Sequence, residues 1–257
     1  MWSIMASENG RTTSRLSLSE TAPMIVSINQ LAYIPWLGFY HRIAISDLHI
    51  VLDHVQFEKN SVANRNKIRT PQGSCWLTVP LKTKGRFGDL AINDVETAND
   101  QPWQKKHWQN LKTHYAKAPF FAEHAPFFEA IYAKPWNKLS DLTREINDYL
   151  LHALGIRTPL RYSSQMNPCG KKDELVLNLC KDAGATTYVS GPFGRDYLNA
   201  SAFAKEGIAI FFHDYKHPQY TQVFPNFEPF MSVLDLLFNH GPESLRLLSA
   251  NQETPAT

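Results

Sequence analysis

Cysteine is scarce in this sequence, and the few cysteines present are not arranged in pairs. Cys75, Cys169 and Cys180 are its three cysteines, and no two of them form a Cys-x-x-Cys motif. An odd number of cysteines without regular spacing argues against the disulfide framework of a small secreted domain. We therefore expect free thiols and a cytoplasmic protein.

Long apolar runs and a strong net charge of either sign are also missing. No apolar run approaches the roughly 18 residues that a membrane-spanning helix needs, and the first residues lack the compact apolar core of a secretory signal. The formal net charge is only +2, from 26 Lys and Arg against 24 Asp and Glu. The composition therefore predicts neither membrane insertion nor nucleic-acid binding.

The domain organisation follows from length and local composition. A chain of 257 residues can form one domain whose hydrophobic core needs no disulfide or metal. Residues 1–23 are rich in Ser, Thr, Glu and Arg and show no helical or strand period, so we expect a disordered leader. We expect one α/β domain over residues 24–242 and a polar tail over residues 243–257.

The pattern from Met24 to Ile68 organises the rest of the chain. Residues 24–28 and 48–52 are apolar runs of strand type, and residues 37–45 carry apolar side chains at helical spacing. A strand, a helix and a strand in this order predict a βαβ unit, whose two strands are parallel.

Helices and strands alternate through most of the remaining sequence. We therefore predict an α/β fold with a mostly parallel, Rossmann-like sheet that is flanked by helices. The predicted helices at residues 103–115, 120–132 and 139–154 follow one another without a strand between them. This run indicates a helical insertion around residues 101–154.

Polar side chains follow each of the first two predicted strands. Gln30 and Tyr33 come after the first strand, and Asp53 and Gln56 come after the second. Because ligands of open parallel sheets bind beyond the carboxyl ends of the strands, we expect these side chains to share one recess. A nearby polar run supplies further donors and acceptors to the same predicted recess: Asn64, Arg65, Asn66 and Lys67.

This set of groups suits a small polar ligand such as an amino sugar or a nucleotide. Side-chain amides present both donors and acceptors, and the Arg65 guanidinium offers a fixed fork for a carboxylate or a phosphate. A structural alternative stays open, in which Gln30 caps backbone groups and residues 64–67 belong to an ordinary β-hairpin. In that alternative the hairpin partner is the strand at residues 75–80, across the turn at Pro71.

A second group of candidates follows the predicted buried strand at residues 186–190. Ser190, Gly191, Arg195 and Tyr197 lie in the segment Ser-Gly-Pro-Phe-Gly-Arg-Asp-Tyr. Glycines directly after a strand let backbone amides approach a ligand, and an anion can bind them together with Arg195. No Gly-Lys-Ser/Thr sequence ends the segment, so it is not a Walker loop. A plain strand-to-helix turn is the alternative interpretation.

A third group lies between His213 and Pro218, where two histidines, an acid and a lysine stand close together in sequence. A histidine whose pKa is near its usual value of about 6.5 can act as a general base. We place this role on His217, with Asp53 as the alternative base. A metal site is not expected, because Pro218 and Tyr220 indicate a loop rather than the helix that a four-residue histidine spacing needs. A structural role is the remaining interpretation.

Several stretches taken together resemble the WbqC-like protein family of bacteria. They are INQLAYIPWLGFYHRI, DHVQFEKNSVANRNKI, WLTVP, WQKKHWQNLKTHYAKAPFF, GATTYVSGPFGRDYL, DYKHPQYTQ and SVLDLLFNHG, spread over residues 24–242. The chain departs from the family's pattern at Asn29, where many members have His or Met, and at Val62, where many have Trp. The candidate residues that match the pattern are Gln30, Asp53, Gln56, Asn64, Arg65, Asn66, Lys67, Ser190, Gly191, Tyr197, His217 and Tyr220.

The resemblance implies a function as well as a fold. The family occurs in gene clusters for surface polysaccharides, such as the O-antigen of lipopolysaccharide, where a glycyl transfer to an amino sugar has been proposed. For this chain the resemblance implies a cytoplasmic acyltransferase that forms an amide on an amino sugar or a nucleotide sugar. The acyl donor would be a thioester on a carrier protein, and we expect no tightly bound cofactor.

A fainter similarity links the opening βαβ unit to the nucleotidyltransferase fold of pantothenate synthetase. In that fold a His-x-Gly-His motif begins the helix, and here residues 36–39, Trp-Leu-Gly-Phe, stand at its place. Aromatic residues therefore replace both histidines that would bind ATP phosphates, which implies that adenylation chemistry is lost or rebuilt. Two alternatives to the acyltransferase stay open: an ATP-dependent adenylating amide ligase of the same fold, and a non-catalytic binding or scaffold protein of a biosynthetic cluster.

Overall fold

The computed structural model describes residues 22–86 and 88–256, so residues 1–21 of the predicted leader lie outside the described part. The strands are β1 (Ile25–Gln30), β2 (Leu48–Leu52), β3 (Arg65–Thr70), β4 (Gly73–Thr78), β5 (Leu160–Tyr162), β6 (Thr187–Ser190) and β7 (Ala209–Phe212). Five of them form one sheet in the order β5-β2-β1-β6-β7, and every neighbouring pair is parallel. The predicted α/β fold with a parallel, Rossmann-like sheet is confirmed.

The order of the strands reverses between β1 and β6. From β1 the chain builds outward through β2 to β5 on one side, and it then returns to place β6 and β7 on the other side. The connections that leave the carboxyl ends of β1 and β6 therefore lead away in opposite directions. In open parallel sheets this arrangement leaves a crevice in which ligands bind.

Helices cover both faces of the sheet. Within the described residues they are α1 (Leu37–Ala44), α2 (Trp103–Tyr115), α3 (Phe121–Ala133), α4 (Leu139–Leu154), α5 (Asp173–Asp182), α6 (Ala200–Lys205), α7 (Val233–His240) and α8 (Ser244–Ser249). Ile50 of β2 packs in a cluster with Leu179 of α5, whereas its neighbour Val51 packs in the larger cluster with Tyr40 of α1. Since successive side chains of a strand point to opposite faces, the sheet is buried on both sides, as parallel sheets are.

The helical insertion that the sequence predicts consists of α2, α3 and α4. The first and third of these helices begin and end at the predicted residues. Leu142, Ile146 and Leu150 mark the buried face of α4, as apolar residues at helical spacing require. Gly155 ends α4 in a left-handed conformation with a φ of 74°, which glycine adopts without the strain that a Cβ would bring.

Two segments lie outside the parallel sheet. Strands β3 and β4 form a separate antiparallel hairpin, in which Arg65 faces Thr78 and Thr70 faces Gly73. Part of the predicted polar tail forms α8, whose Leu248 is fully buried, and α8 packs near α1. Among the described residues, no helix has both the length and the apolar character that crossing a bilayer requires.

Candidate functional site

A cleft of about 360 Å³ opens where β1 and β6 end, at the place where the strand order reverses. We call it the strand-end cleft. Gln30 ends β1 and Ser190 ends β6, so the parallel sheet brings residues from distant parts of the chain to one place. The sequence singles out four of the residues that line this cleft: Gln30, Ser190, Gly191 and Tyr197.

Arg42 of α1 also lines the strand-end cleft, although the sequence did not single it out. Its Nε atom is buried without a hydrogen-bond partner, and its guanidinium forms no ion pair with any residue that the structure describes. Burial lowers the pKa of Arg42 below its usual value, and the Tyr188 and Tyr197 hydroxyls oppose this shift. Because an arginine stays protonated in proteins, the cleft contains a cation without a counter-charge.

Asn29 adds a second unpaired donor to the same cleft. Its Nδ2 atom is buried and has no hydrogen-bond partner. The described residues that line the cleft include no Asp or Glu. A guanidinium and an amide that lack local acceptors make the strand-end cleft electropositive and rich in hydrogen-bond donors.

Two glycines allow close contacts in the walls of this cleft. A Cβ on Gly191 would lie 3.1 Å from Nη1 of Arg42, so the backbone after β6 passes directly beside the guanidinium. A Cβ on Gly38 would collide with the indole of Trp36, which therefore lies against the first turn of α1. Both glycines are explained by the space around them rather than by an unusual backbone conformation.

Tyrosine hydroxyls complete the polar lining. Burial raises the pKa of Tyr188 well above its usual value. Burial also raises the pKa of Tyr197, and the charge of Arg42 and a hydrogen bond with Tyr188 oppose that shift. Both phenols are therefore protonated at neutral pH, and since one of them donates to the other, only the second keeps its O–H for a ligand. The Ser190 hydroxyl donates to the carbonyl of Gly191 at 3.0 Å.

A second cleft, of about 320 Å³, adjoins the first. Trp36, Arg42 and Pro192 line both clefts, whereas His213 and Asp214 line only the second. We call the second one the histidine cleft. Arg42 therefore borders both clefts.

His213, which lines the histidine cleft, forms a pair with a second buried histidine. Nε2 of His213 lies 2.8 Å from Nδ1 of His41 on α1, and the backbone N–H of His213 donates to the carbonyl of Ser190 at 2.9 Å. Burial lowers the pKa of His41 to about 4. Burial, together with the charge of Arg42, lowers the pKa of His213 to about 3. Both rings are therefore neutral at neutral pH, and one donates a single N–H to the other.

Asp53 lines neither of these clefts. Its Oδ1 accepts hydrogen bonds from the Ser163 hydroxyl at 3.0 Å and from the Ser164 N–H at 2.9 Å, and its Oδ2 accepts one from the Ser164 hydroxyl at 2.6 Å. These bonds tie the turn after β5 to the end of β2. The carboxylate thus has structural partners, and its role as a base stays a prediction.

Tyr33 and Gln56 lie outside the strand-end cleft as well. Tyr33 is fully buried, and its hydroxyl contacts the Tyr132 hydroxyl and lies 2.8 Å from Nδ1 of His107. Burial raises the pKa of Tyr33 and lowers the pKa of His107 to about 4. Gln56 is exposed and pairs with Ala91 in an isolated bridge. The structure therefore does not form the single recess that we expected from the polar residues after β1 and β2.

The amides of the Asn-Arg-Asn run hold backbone groups of the hairpin and its surroundings. Asn64 Nδ2 donates to the carbonyl of Val79 at 2.8 Å. Asn66 is buried, and its Nδ2 donates to the carbonyl of Ile34 at 2.8 Å. These contacts agree with the structural alternative for this run, and a role of either amide in substrate binding stays a prediction.

The cations of the same run lie over an exposed tryptophan. The Arg65 guanidinium lies 4.6 Å and the Lys67 ammonium 5.4 Å from the ring centroid of Trp76. Arg65 also donates to the carbonyl of Asn60 at 2.6 Å and lines a separate cleft of about 430 Å³, which we call the hairpin cleft. The run therefore belongs to a second surface, apart from the strand-end cleft.

Arg195 is engaged with a carboxylate. Its Nη1 and Nη2 donate to the two oxygens of Asp214 at 2.8 and 2.6 Å. This pair is half exposed, and the hydrogen bond and charge of Arg195 hold the pKa of Asp214 below its usual value. The pair fixes Asp214 at the edge of the histidine cleft, and anion binding by Arg195 stays a prediction.

His217 lies outside both clefts. Its Nδ1 donates to the carbonyl of Pro218 at 2.9 Å, and its Nε2 is buried without a partner. The ring centroid lies 5.2 Å from that of Phe230 and 6.1 Å from that of Tyr220, and burial lowers the pKa of His217. The role of His217 as a base is still a prediction, and His213 is the histidine that lines a cleft beside Arg42.

Tyr220 belongs to an interior network centred on Asp235. Its hydroxyl donates to Oδ2 of Asp235 at 2.9 Å, and the Tyr115 hydroxyl donates to Oδ1 at 3.0 Å. Gln222 Nε2 donates to Oδ2 at 2.8 Å. Burial raises the pKa of Asp235. The network joins α2 and α7 to the loop after β7, and substrate contact by Tyr220 stays a prediction.

Sequence reasoning missed Arg42, Asn29 and His41. One signal for His41 was available: it stands four residues after Leu37, on the face of α1 that the apolar residues mark. Arg42 is the next residue, and no periodicity shows that it reaches the end of β6. Asn29 is the second-last residue of β1, and the sequence resemblance assigned it no role.

Metal ligands do not converge in the described part of the chain. No three His, Cys, Asp or Glu side chains of residues 22–86 and 88–256 come close enough together to hold an ion. Cys75, Cys169 and Cys180 are free thiols. The polar groups that line the two clefts are amides, hydroxyls, the Arg42 guanidinium, the His213 imidazole, the Asp214 carboxylate and the Lys216 ammonium.

Comparison with known proteins identifies the family. The WbqC-like protein family matches residues 30–247 of the chain. Uncharacterized protein Rv1507c of Mycobacterium tuberculosis (strain ATCC 25618 / H37Rv) is 39% identical over 221 residues, which cover 85% of this chain and 95% of that protein. None of the solved structures matches the chain. The chain belongs to the WbqC-like protein family.

Proposed function

We propose that this protein is an acyltransferase that forms an amide, by moving an aminoacyl group such as glycyl from a carrier thioester onto an amino sugar. The observation that carries the proposal is the strand-end cleft, which unites Gln30, Ser190, Gly191 and Tyr197. The role in surface-polysaccharide biosynthesis that the family resemblance implies supports the choice of an amino sugar as acceptor.

The lining of the strand-end cleft suits a ligand rich in hydroxyl groups. Gln30 is exposed at the end of β1 and offers both a donor and an acceptor. The hydroxyls of Tyr188 and Tyr197 bond to each other, so between them they add one donor for a ligand. The cleft volume of about 360 Å³ lies at the lower end of the roughly 300–1,000 Å³ that is typical of small-molecule sites.

Amide formation requires that a proton leaves the attacking amine. The amine lone pair forms a C–N bond to the thioester carbonyl carbon, the C–S bond breaks, and the carrier leaves as a thiol that has received the proton. An unprotonated imidazole can accept this proton, although a ring whose pKa lies far below neutral accepts it less readily than an ordinary histidine does. His213 presents such a ring to the histidine cleft, beside Arg42. We assign the proton transfer to His213.

The test uses purified full-length protein with two donors, glycyl N-acetylcysteamine thioester and a glycyl-loaded carrier protein. A panel of nucleotide-linked amino sugars supplies the acceptors, and mass spectrometry detects the amide. We expect an amide product that depends on both donor and acceptor. Absence of any amide across this panel would contradict the proposal.

Variants locate the base. We expect His213→Gln to lower kcat by roughly 100-fold. Arg161→Gln, an exposed change on the edge strand β5, should alter kcat by less than about twofold. His217→Gln and Asp53→Asn test the two bases that the sequence predicts. A large fall in kcat in either of these two variants, with full activity in His213→Gln, would identify His217 or Asp53 as the base instead.

An adenylating amide ligase is the second candidate, because open α/β sheets bind nucleotides where the strand order reverses. The indole of Trp36 disfavours it, since it lies against the first turn of α1 at Gly38, where phosphates would approach the helix N-terminus. Exchange of pyrophosphate into ATP that depends on an amino acid would favour the ligase. A scaffold protein would show ligand or partner binding without product in either assay.

A further inference from the structure

We propose that the strand-end cleft binds a phosphoryl group, with Arg42 as the cation that holds it and Asn29 as a neighbouring donor. The inference rests on the proposed function only for the identity of the natural ligand. A nucleotide-linked amino sugar would supply the anion through its pyrophosphate. The site itself rests on the geometry of Arg42.

Arg69 shows how this protein satisfies an arginine that has no ligand. Arg69 is 2% exposed, and every nitrogen of its guanidinium has an acceptor within the protein. Its acceptors are Gln222 Oε1 and the carbonyls of Thr70, Gly73, Pro225 and Asn226. The protein therefore satisfies one buried arginine with its own acceptors, without a ligand.

Arg42 lacks all such partners among the described residues. Its Nε is buried and unbonded, and its guanidinium donates to no described side chain or carbonyl. Burying a charged donor without an acceptor costs free energy, so a site of this kind persists where a ligand supplies the acceptor. The oxygens of a bound anion would provide what Arg42 lacks.

The groups around Arg42 point to an anion rather than to a neutral ligand. Asn29 contributes a second buried donor without a partner, and Gln30 lies in the same lining. The hydroxyls of Tyr188 and Tyr197 are protonated at neutral pH, because burial raises both pKa values. None of these groups carries a negative charge that could balance Arg42, so the balancing charge has to come from the ligand.

The backbone after β6 lies close to the guanidinium at Gly191. At Gly191 a side chain would begin 3.1 Å from Nη1 of Arg42 and would fill the space next to it. The φ of Gly191 is −69°, which any residue can adopt. The backbone conformation of the loop therefore does not require glycine at this position, and the close approach of Arg42 explains the glycine.

A phosphoryl group fits these donors better than a carboxylate does. A carboxylate offers two oxygens to all of these donors, and the guanidinium fork engages both of them. A phosphoryl group has further oxygens for Asn29 and Gln30. The cleft volume of about 360 Å³ leaves space for a sugar beside the phosphoryl group.

The binding test is an isothermal titration of the full-length protein with inorganic pyrophosphate at low ionic strength, with glycine as the carboxylate probe. We expect wild-type protein to bind pyrophosphate and Arg42→Met to bind it at least about tenfold more weakly. Arg161→Met, the exposed control on β5, should change the affinity by less than about twofold. Glycine should not displace pyrophosphate.

Three results of this titration would overturn the proposal. They are no binding of pyrophosphate by wild-type protein, equal binding by wild type and Arg42→Met, and displacement of pyrophosphate by glycine. Asn29→Ala removes the second unpaired donor and tests the site independently of Arg42. It should weaken pyrophosphate binding while the melting temperature stays unchanged.

Thermal melting of the ligand-free variants separates a binding role of Arg42 from a structural one. Met keeps the apolar stem of Arg42 and removes its charge, so Arg42→Met should melt at the wild-type temperature or above it. A lower melting temperature together with lost binding would give Arg42 a structural role and would overturn the proposal.

The two proposals can fail separately. Pyrophosphate binding that depends on Arg42, in a protein that forms no amide, would leave the phosphoryl site standing and would contradict the acyltransferase. Amide formation on a nucleotide-linked acceptor with the same kcat/KM in Arg42→Met and wild type would support the acyltransferase and would overturn the phosphoryl site.

Discussion

Nδ1 of His41 and Nε2 of His213 lie 2.8 Å apart in the interior, so one of these nitrogens donates its N–H and the other accepts it. Burial lowers the pKa of His41 to about 4, and burial with the charge of Arg42 lowers the pKa of His213 to about 3. In the unfolded chain both pKa values return to about 6.5. Below about pH 6.5 the unfolded chain therefore binds protons that the folded protein does not, and stability falls as the pH drops toward 3.

The first prediction is that this pair makes the protein sensitive to acid. Between about pH 7 and pH 4.5, wild type should lose roughly 5 kcal/mol more unfolding free energy than the double variant His41→Gln/His213→Gln, about half of it from each histidine. Urea denaturation at the two pH values measures this difference. His49 and His107 keep part of the dependence in the variant, because burial lowers their pKa values too. An equal loss in both proteins would contradict the prediction.

The second prediction is that Asp53→Asn acts on stability rather than on the chemical step. An amide nitrogen would replace one carboxylate oxygen that now accepts a hydrogen bond from Ser163 or Ser164. The amide N–H would then face a hydrogen-bond donor, and that bond would be lost. We expect a loss of about 1–3 kcal/mol in urea denaturation, with kcat unchanged. Unchanged stability with a large fall in kcat would instead support Asp53 as the base.

The third prediction concerns Gly191→Ala. The backbone tolerates alanine there, but its Cβ would lie 3.1 Å from Nη1 of Arg42. We expect KM for a nucleotide-linked acceptor to rise by about tenfold, with little change in melting temperature. In an Arg42→Met background the same change should have no further effect, because residues that act through one contact are not additive. Equal effects in both backgrounds would separate Gly191 from Arg42.

The fourth prediction concerns docking of the acyl carrier. Phe193 lines the strand-end cleft and is 79% exposed, which is typical of an aromatic contact residue. Phe193→Ala should raise KM for a carrier-bound donor by about tenfold and leave kcat/KM for a small thioester unchanged. Val62→Ala, an exposed apolar position away from the cleft, is the matched control. The same effect on both donors would argue against a carrier contact.

Periodicity and the alternation of helices and strands predicted the parts of this protein that depend on the backbone alone. Helices α2 and α4 have the predicted bounds, because their apolar residues repeat at helical spacing along one face. The strand-end rule placed Gln30 and Ser190 each at a strand end, but we assigned them to two separate groups, and only the structure shows that they line one cleft.

Side-chain partners could not be predicted in the same way, because they depend on residues that only the fold brings near. Asp53 follows β2 as expected, yet Ser163 and Ser164 after β5 occupy its carboxylate. Arg42 stands within a helix, and its position beside Gly191 depends on how α1 packs against the sheet. A pattern in one sequence contains no information on either contact.

A crystal structure with a nucleotide-linked amino sugar tests the strand-end cleft most directly as the substrate site. We predict that the sugar lies between Gln30 and Gly191 and that oxygens of the pyrophosphate bond to the guanidinium of Arg42. A ligand bound in the hairpin cleft beside Arg65, or a strand-end cleft without ligand at saturating concentration, would contradict that claim.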